Sequence, residues 1–334
     1  MDKTIKISLK VRLKHLRYNT QKCKPFAVLF ILCAAFLLLT QCSAPHTLPY
    51  SVCPTTVPKG ITLLSVKIDG LDADFFHGTS TTPQKAIVLL GGSEGGRSWS
   101  YHPEFIQELI DHGFCVLSLP YFGTDSLPKN LRGISLEYFQ KAFRWLSAQK
   151  DMVISNNYAL VGVSRGAELA LLLGSRYPEV NAVVAIDPSS VVFPGPPTGL
   201  FDALGRQHSA WSEKGRELPF VSIPFSWTSI KGMFSGNRTR MFEKALQDTI
   251  KVKAATIPVE KIHGPVLVIS FKRDQVWPSP LMCEKIVARL HDKNFKFYYE
   301  HASYDGVHSD WSIKACRTNI ISFLSEQFLP VESK

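Results

Sequence analysis

Several features are scarce in this chain of 334 residues. No stretch repeats at a fixed period and no long low-complexity segment interrupts it, which leaves one or two ordinary globular domains. No Gly-Lys-Ser or Gly-Lys-Thr follows its glycine-rich segments, so a phosphate cradle is unsupported. Cysteine is sparse beyond residue 42: Cys53, Cys115, Cys283 and Cys316 remain, at spacings that give no zinc signature, and no metal or other cofactor is expected. Acidic residues are nearly missing from residues 1–24, which hold one Asp against eight Lys and Arg. The uncharged apolar run that follows, Phe26–Thr40, falls short of the roughly 20 residues that a spanning helix needs.

A basic stretch followed by a short apolar run reads as a secretory signal. Cys42 stands directly after it and resembles the lipidated residue of a bacterial lipoprotein leader. An uncleaved anchor with its basic end inside is the other reading. Both place residues 43–334 outside the cytoplasm, exported, periplasmic or anchored to a membrane through the N-terminus. The charge supports a separate leader. Taking its eight basic residues and one acidic residue from the net +10 leaves +3, too little to expect a nucleic-acid partner. In an oxidising compartment Cys283 and Cys316, each on an expected helix, would be free to bridge. Cys115 sits in an apolar strand pattern and reads as core.

Residues 43–60, rich in Pro, Ser and Thr, read as a linker, and 61–79 as a short β pair. Beyond residue 82, short apolar runs alternate with helical patterns. "KAIVLL", "FCVLSLP", residues 158–163, "NAVVAID", "PVLVIS" and "FKFYYE" read as strands. Residues 101–112, 136–150, 165–176, 278–290 and 311–328 read as helices. This alternation implies a doubly wound, mostly parallel α/β sheet spanning 83–330. It breaks over 188–264, where Pro, Phe, Trp and Gly are frequent. So long an irregular stretch reads as an insertion capping the carboxyl end of the sheet.

The chemistry centres on "LVGVSRGAELAL". An apolar strand meets a helix at Ser164, with Gly162 and Gly166 two residues to either side. That is the pattern of the nucleophile turn of α/β-hydrolases, where flanking residues must be small. A serine hydroxyl needs a base and an orienting acid, in the chain order Ser, acid, His. Asp274 stands just past "PVLVIS", and His308 lies in the loop "HASYDGVHSDW" before the last helix. His301 is the alternative base; Asp305 and Asp310 are nearer His308 in sequence but end no strand. The oxyanion donors expected are the backbone N–H of Arg165 and that of Ser93 or Glu94 in "GGSEGG".

With "VGVSRGAELAL", "YFGTDSLPKNL…SLEYFQKAFRWL", "IPVEKIHGPVLVIS", "RDQVWPS" and "SYDGVHS" in order, residues 83–328 resemble the C-terminal catalytic domain of the acyl-CoA thioesterase and bile acid-CoA:amino acid N-acyltransferase family. The resemblance implies an α/β-hydrolase acting on acyl thioesters, with Ser164 at the nucleophile position and Asp274 and His308 as acid and base. Residues 43–82 are too few for the N-terminal β-sandwich of the eukaryotic members. The expected function is a serine hydrolase that cleaves acyl thioesters through an acyl-serine. An exported carboxylesterase, an acyltransferase and a non-catalytic acyl-binding protein are the alternatives.

Overall fold

A computed structural model describes residues 53–54, 57–198, 202, 206–224 and 226–328. All lie in Leu48–Lys334, one of the two compact units into which the chain divides. The leader expected at 1–42, with lipidation at Cys42, falls outside the described residues. Among those described, no helix is long and apolar enough to cross a membrane.

The described residues build one eight-stranded sheet, ordered β1-β2-β4-β3-β6-β7-β10-β11. β1 (Thr62–Ile68) and β2 (Leu71–His77) form a hairpin that turns through Asp69 and Gly70, both at positive φ. β2 runs antiparallel to β4 (Phe114–Ser118). Every further pairing is parallel: β4 with β3 (Gln84–Leu90), then β6 (Val153–Val163), β7 (Val180–Ile186), β10 (Val266–Phe271) and β11 (Tyr299–Tyr304). The hairpin therefore extends the sheet itself, across the boundary drawn at residue 82.

Helices cover both faces, which is why the central strands read as unbroken apolar runs. On one face α2 (Glu137–Ala148), α3 (Arg165–Gly174) and α7 (Ser279–Asp292) pack over Val88, Leu160, Val183 and Val268. On the other, α1 (Pro103–Asp111) and α8 (Lys314–Gln327) cover Ile87, Val161, Val184 and Ile269. Cys283 belongs to the first layer and Cys316 to the second, so the sheet lies between them. Both are buried free thiols, and the bridge considered for them does not form.

Two expectations shift in position. "FKFYYE" does not become a strand as a unit. Phe295 packs its ring 5.5 Å from Phe297 and 6.1 Å from Tyr299, and β11 begins only at Tyr299. Aromatic packing beside the sheet produced the apolar pattern. Asp187, read as the end of a strand, lies one residue past β7 with φ of 48°.

The region 188–264 is more regular than its composition suggests. β8 (Trp211–Glu213) and β9 (Arg216–Glu217) join β5 (Ile134–Ser135) in a second, three-stranded sheet. Three short helices follow: α4 (Trp227–Ser235), α5 (Thr239–Ala245) and α6 (Thr249–Ala255). Ser226 caps α4 by accepting from the Ser229 amide, and Asp248 caps α6 through that of Lys251.

The loop after β3 is held by a buried charge cluster. The Arg97 guanidinium is 2.5 Å from Asp74 Oδ1 and also donates to Asp72, and all three side chains are almost fully buried. Ser100 donates to Asp74 at 2.6 Å, while Thr124 donates to Asp72 at 2.9 Å. The cluster fastens two loops to β2. Removing one member of a buried ion pair strands the other, at a cost of about 3–5 kcal/mol. Arg97→Met should lower unfolding free energy by that amount in urea titrations at pH 7. A loss under about 1 kcal/mol would mean that the cluster does not hold the loop.

Candidate active site

β6 delivers the chain to Ser164, whose φ of 56° and ψ of −115° are strained for a residue with a Cβ. The Ser164 amide donates to the Ile186 carbonyl at 2.8 Å, while its own carbonyl accepts from Ala167 and Glu168 to start α3. The two flanking glycines are sterically required. A Cβ on Gly162 would stand 2.1 Å from the Gly166 carbonyl oxygen, and one on Gly166 would stand 2.2 Å from that of Leu90. Backbone from β6, α3 and β3 thus meets with no space for a methyl group.

His308 reaches Ser164 from the loop after β11, the edge strand of the sheet. Its Nε2 is 2.9 Å from Ser164 Oγ and its Nδ1 is 2.8 Å from Asp274 Oδ2. Asp274, in the loop after β10, accepts the Val276 and Trp277 amides on Oδ1 and the Ser279 hydroxyl on Oδ2. Backbone bonds from Lys272 to Tyr304 and from Arg273 to Gly306 tie the Asp274 loop to the His308 loop. Burial disfavours the charged His308 ring. The hydrogen bond to Asp274 and the charges of Asp187, Asp274 and Glu94 outweigh that, and its pKa stands above the ordinary histidine value.

Of the acids and bases weighed from sequence, the structure brings Ser164, Asp274 and His308 together. His301 instead pairs its Nε2 with Ser270 Oγ at 2.8 Å. Asp305 meets Arg273 in an exposed ion pair at 2.9 Å, and Asp310 accepts the Val307 amide at 2.7 Å.

Around Ser164, the loop after β3 is fixed by the Tyr121 hydroxyl, which donates to the Gly91 carbonyl at 2.6 Å. Ser93 and Glu94 are exposed, and the Glu94 carboxylate turns back to accept the Gly92 amide at 2.7 Å and the Ser98 hydroxyl at 2.8 Å. A Cβ on Gly92 would lie 3.2 Å from that of Ser164. Arg165 starts α3, but its side chain points away from this loop. It meets Glu168 at 2.8 Å and donates to the carbonyls of Phe193 and Pro194, both at 2.9 Å. Trp211 Nε1 donates to the same Glu168 at 2.7 Å. Burial pushes the Glu168 carboxyl up to about 7, against the pull of Arg165. Trp277 stands edge-on to His308 at 6.0 Å and packs with Phe193 and Phe242.

One acidic residue at the site was not singled out from sequence. Asp187, fully buried, has Oδ2 3.7 Å from His308 Nδ1. It accepts the Ser309 amide at 2.8 Å, and its Oδ1 lies 2.9 Å from Ser279 Oγ. Burial raises its carboxyl to about 7, with Asp274 adding to the rise and His308 opposing it. Its signal in the sequence was the one that pointed to Asp274: an Asp directly after a parallel strand. Asp187, Asp274 and His308 present three ligand atoms within 4.8 Å of one another. Their lone pairs are directed at hydroxyl, amide and imidazole donors within the protein, so they read as a hydrogen-bonded set and not as metal ligands.

A mostly parallel sheet with helices on both faces and a serine on a strained strand-to-helix turn defines an α/β-hydrolase fold. The Pyrococcus furiosus esterase Pf2001 shares it, with a TM-score of 0.53 at 15% identity, over 84% of this chain and 97% of that one. Within that fold class, the chain belongs to the BAAT / acyl-CoA thioester hydrolase C-terminal family, whose model matches residues 134–308. Mouse acyl-coenzyme A thioesterase 2, mitochondrial, is 26% identical over 69% of this chain and 46% of its own length. Rat acyl-coenzyme A amino acid N-acyltransferase 2 is 29% identical over 62% and 44%. Mouse peroxisomal succinyl-coenzyme A thioesterase is 26% identical over 69% and 50%. The chain spans about half the length of the curated relatives it matches.

These relatives correct the expectation of an exported, periplasmic or membrane-anchored protein. Two are named for mitochondria and for peroxisomes, compartments inside the cell. A basic, acid-poor leader is common to exported and organelle-directed chains, so composition could not separate them.

The glycine packing gives a direct test. Gly166→Ala would drive a methyl group into fixed backbone and should cost about 3 kcal/mol or more. Gly215→Ala, where φ is 73° but no atom lies within 4 Å, should cost only about 1–2 kcal/mol. Equal shifts in thermal unfolding for the two variants would show that the turn yields.

Proposed function

We propose that the chain is a serine hydrolase of acyl thioesters, with Ser164 as nucleophile, His308 as base and Asp274 as orienting acid. The observation that supports this most is the run of hydrogen bonds from Ser164 Oγ through His308 to Asp274 at a strained turn. In this reading Ser164 Oγ attacks the thioester carbonyl carbon as its proton passes to His308 Nε2. The carbonyl oxygen becomes an oxyanion. The Arg165 amide and that of Ser93 or Glu94 are the proposed donors to it; the Gly92 amide is already given to Glu94. The oxyanion collapses, the C–S bond breaks, and the leaving sulfur takes the proton from Nε2. Water then attacks the acyl-serine, giving a proton to Nε2. The C–Oγ bond breaks, Oγ recovers the proton, and a carboxylic acid leaves. Asp274 holds Nδ1–H toward itself, so that Nε2 carries the free lone pair.

Residues 83–330 form the proposed catalytic region, with 188–264 as its cap. The cluster of Phe193 and Phe242 with Trp277, edge-on to His308, supports an apolar wall there for the acyl chain. Coenzyme A thioesters are the proposed substrates, in keeping with the names of the relatives. One relative is an N-acyltransferase, which favours a second reading in which an amino acid amine replaces water in the second half-reaction. Amide product formed when amino acids are added to the assay would support transfer; free acid alone would support hydrolysis.

Ser164→Ala should lower kcat/KM on acyl-CoA by at least about a thousandfold while leaving thermal unfolding nearly unchanged. A smaller loss would remove Ser164 from the nucleophile role. Asp274→Asn should cost far more than Asp305→Asn, measured on the same substrate.

Chain length tests the cap. Each buried methylene contributes up to about 0.8 kcal/mol, roughly fourfold in kcat/KM, until the pocket is full. A preference for acetyl-CoA over all longer chains would argue against the cap as an acyl site.

A further inference from the structure

Ser279 Oγ lies between two carboxylates, 2.9 Å from Asp187 Oδ1 and 2.6 Å from Asp274 Oδ2. A hydroxyl has one proton and can donate to only one of them. If both acids were ionised, the other contact would set a serine lone pair against a carboxylate oxygen in a buried site. One more proton removes the conflict. Asp274 is poorly suited to hold it, since three other donors converge on its oxygens: the Val276 and Trp277 amides and His308. Asp187 has fewer. Apart from the Ser279 contact, it accepts the Ser309 amide on Oδ2 and a long bond from the Phe271 amide, 3.3 Å, on Oδ1. A proton on Asp187 Oδ1 completes a one-way chain in which Asp187 donates to Ser279, Ser279 to Asp274, and Asp274 accepts from His308.

We propose that Asp187 is a second acid for His308, a positioning residue that is protonated at rest, supports Asp274 through Ser279, and titrates as a pair with the imidazole. The inference rests on the proposed role of His308 as base. When Asp187 gives up its proton, a second negative charge stands 3.7 Å from Nδ1 and favours the imidazolium. The groups facing the pair are few. Asp274 lies beside both, Glu94 faces His308, and the buried thiols of Cys283 on α7 and Cys316 on α8 face Asp187. Both thiols are raised by burial, Cys316 to about 12, and stay neutral across the range concerned.

The sign of the effect follows. His308 acts as base only when neutral, and an ionised Asp187 holds its proton on to higher pH. Asp187→Asn keeps a donor to Ser279 and an acceptor for Ser309 but cannot become charged. The acid limb of its kcat/KM profile, scaled to its own plateau and read on p-nitrophenyl butyrate, should move to lower pH by roughly one unit. An acid limb superimposable on that of the wild type would overturn the proposal. A second measurement needs no variant and no turnover: aspartate-selective 13Cγ labelling of the wild-type chain, followed by NMR against pH. One aspartate should titrate near 7. Ordinary titration of every aspartate, between about pH 2 and 5, would overturn the proposal even if Asp187→Asn failed to fold. Full activity in Ser164→Ala would instead defeat the hydrolase reading and leave the carboxyl titration to stand on its own.

Discussion

The structure depends on one close approach of backbone. β6, α3 and β3 meet at Gly162, Gly166 and Leu90 with less than a methyl group between them. That packing forces the chain through Ser164 at positive φ and lifts its side chain to the carboxyl edge of the sheet. The Ile186 carbonyl then fixes the Ser164 amide, which couples the turn to the neighbouring strand β7. Strain of this kind, of order 1–3 kcal/mol, persists only where surrounding contacts over-determine it. Here the sheet does so from both sides.

What the sheet cannot fix, buried charge does. Loops lack ladder hydrogen bonds, and three of those around Ser164 are held by charge-assisted bonds, which are shorter and stronger than neutral ones. Arg97 with Asp72 and Asp74 secures the loop after β3. Arg165 with Glu168 fastens the stretch at Phe193 and Pro194. Asp274 holds the His308 loop through the imidazole Nδ1. Each set is buried and includes a carboxylate, so the edge of the sheet that bears Ser164 is also where ionisation costs are concentrated.

Much of this was legible in the sequence, for identifiable reasons. Strands buried on both faces announce themselves as apolar runs, and β3, β4, β7 and β10 did so. The Gly162-x-Ser164-x-Gly166 spacing is dictated by sterics that permit few other residues, and a turn was readable from it. Position in the strand order pointed to Asp274 and His308. The failures have a common cause in contacts distant in sequence. Phe295, Phe297 and Tyr298 look like strand because they are aromatic, but Phe295 packs on Phe297 and Tyr298 on Phe323 ahead of the strand's start at Tyr299. Asp187 looked like the last residue of β7, since nothing local shows that Ser279 and Ser309, over ninety residues away, will hydrogen-bond to it. The second sheet, joining β5 to β8 across the chain, was equally invisible.

Arg165 serves two structures at once. Its main chain begins the helix behind Ser164, while its guanidinium is spent on Glu168 and on two carbonyls of the 188–264 region. Trp211, from that same region, closes on Glu168 from the other side. The 188–264 stretch is therefore tied to α3 and not only to its own two junctions. A chimera carrying a relative's segment in place of 188–264 would keep the Arg165–Glu168 pair but strip it of the Phe193 and Pro194 carbonyls and of Trp211, at the foot of the turn that sets Ser164. Segment and helix have to be transplanted together, and variation in the one is constrained by two side chains of the other.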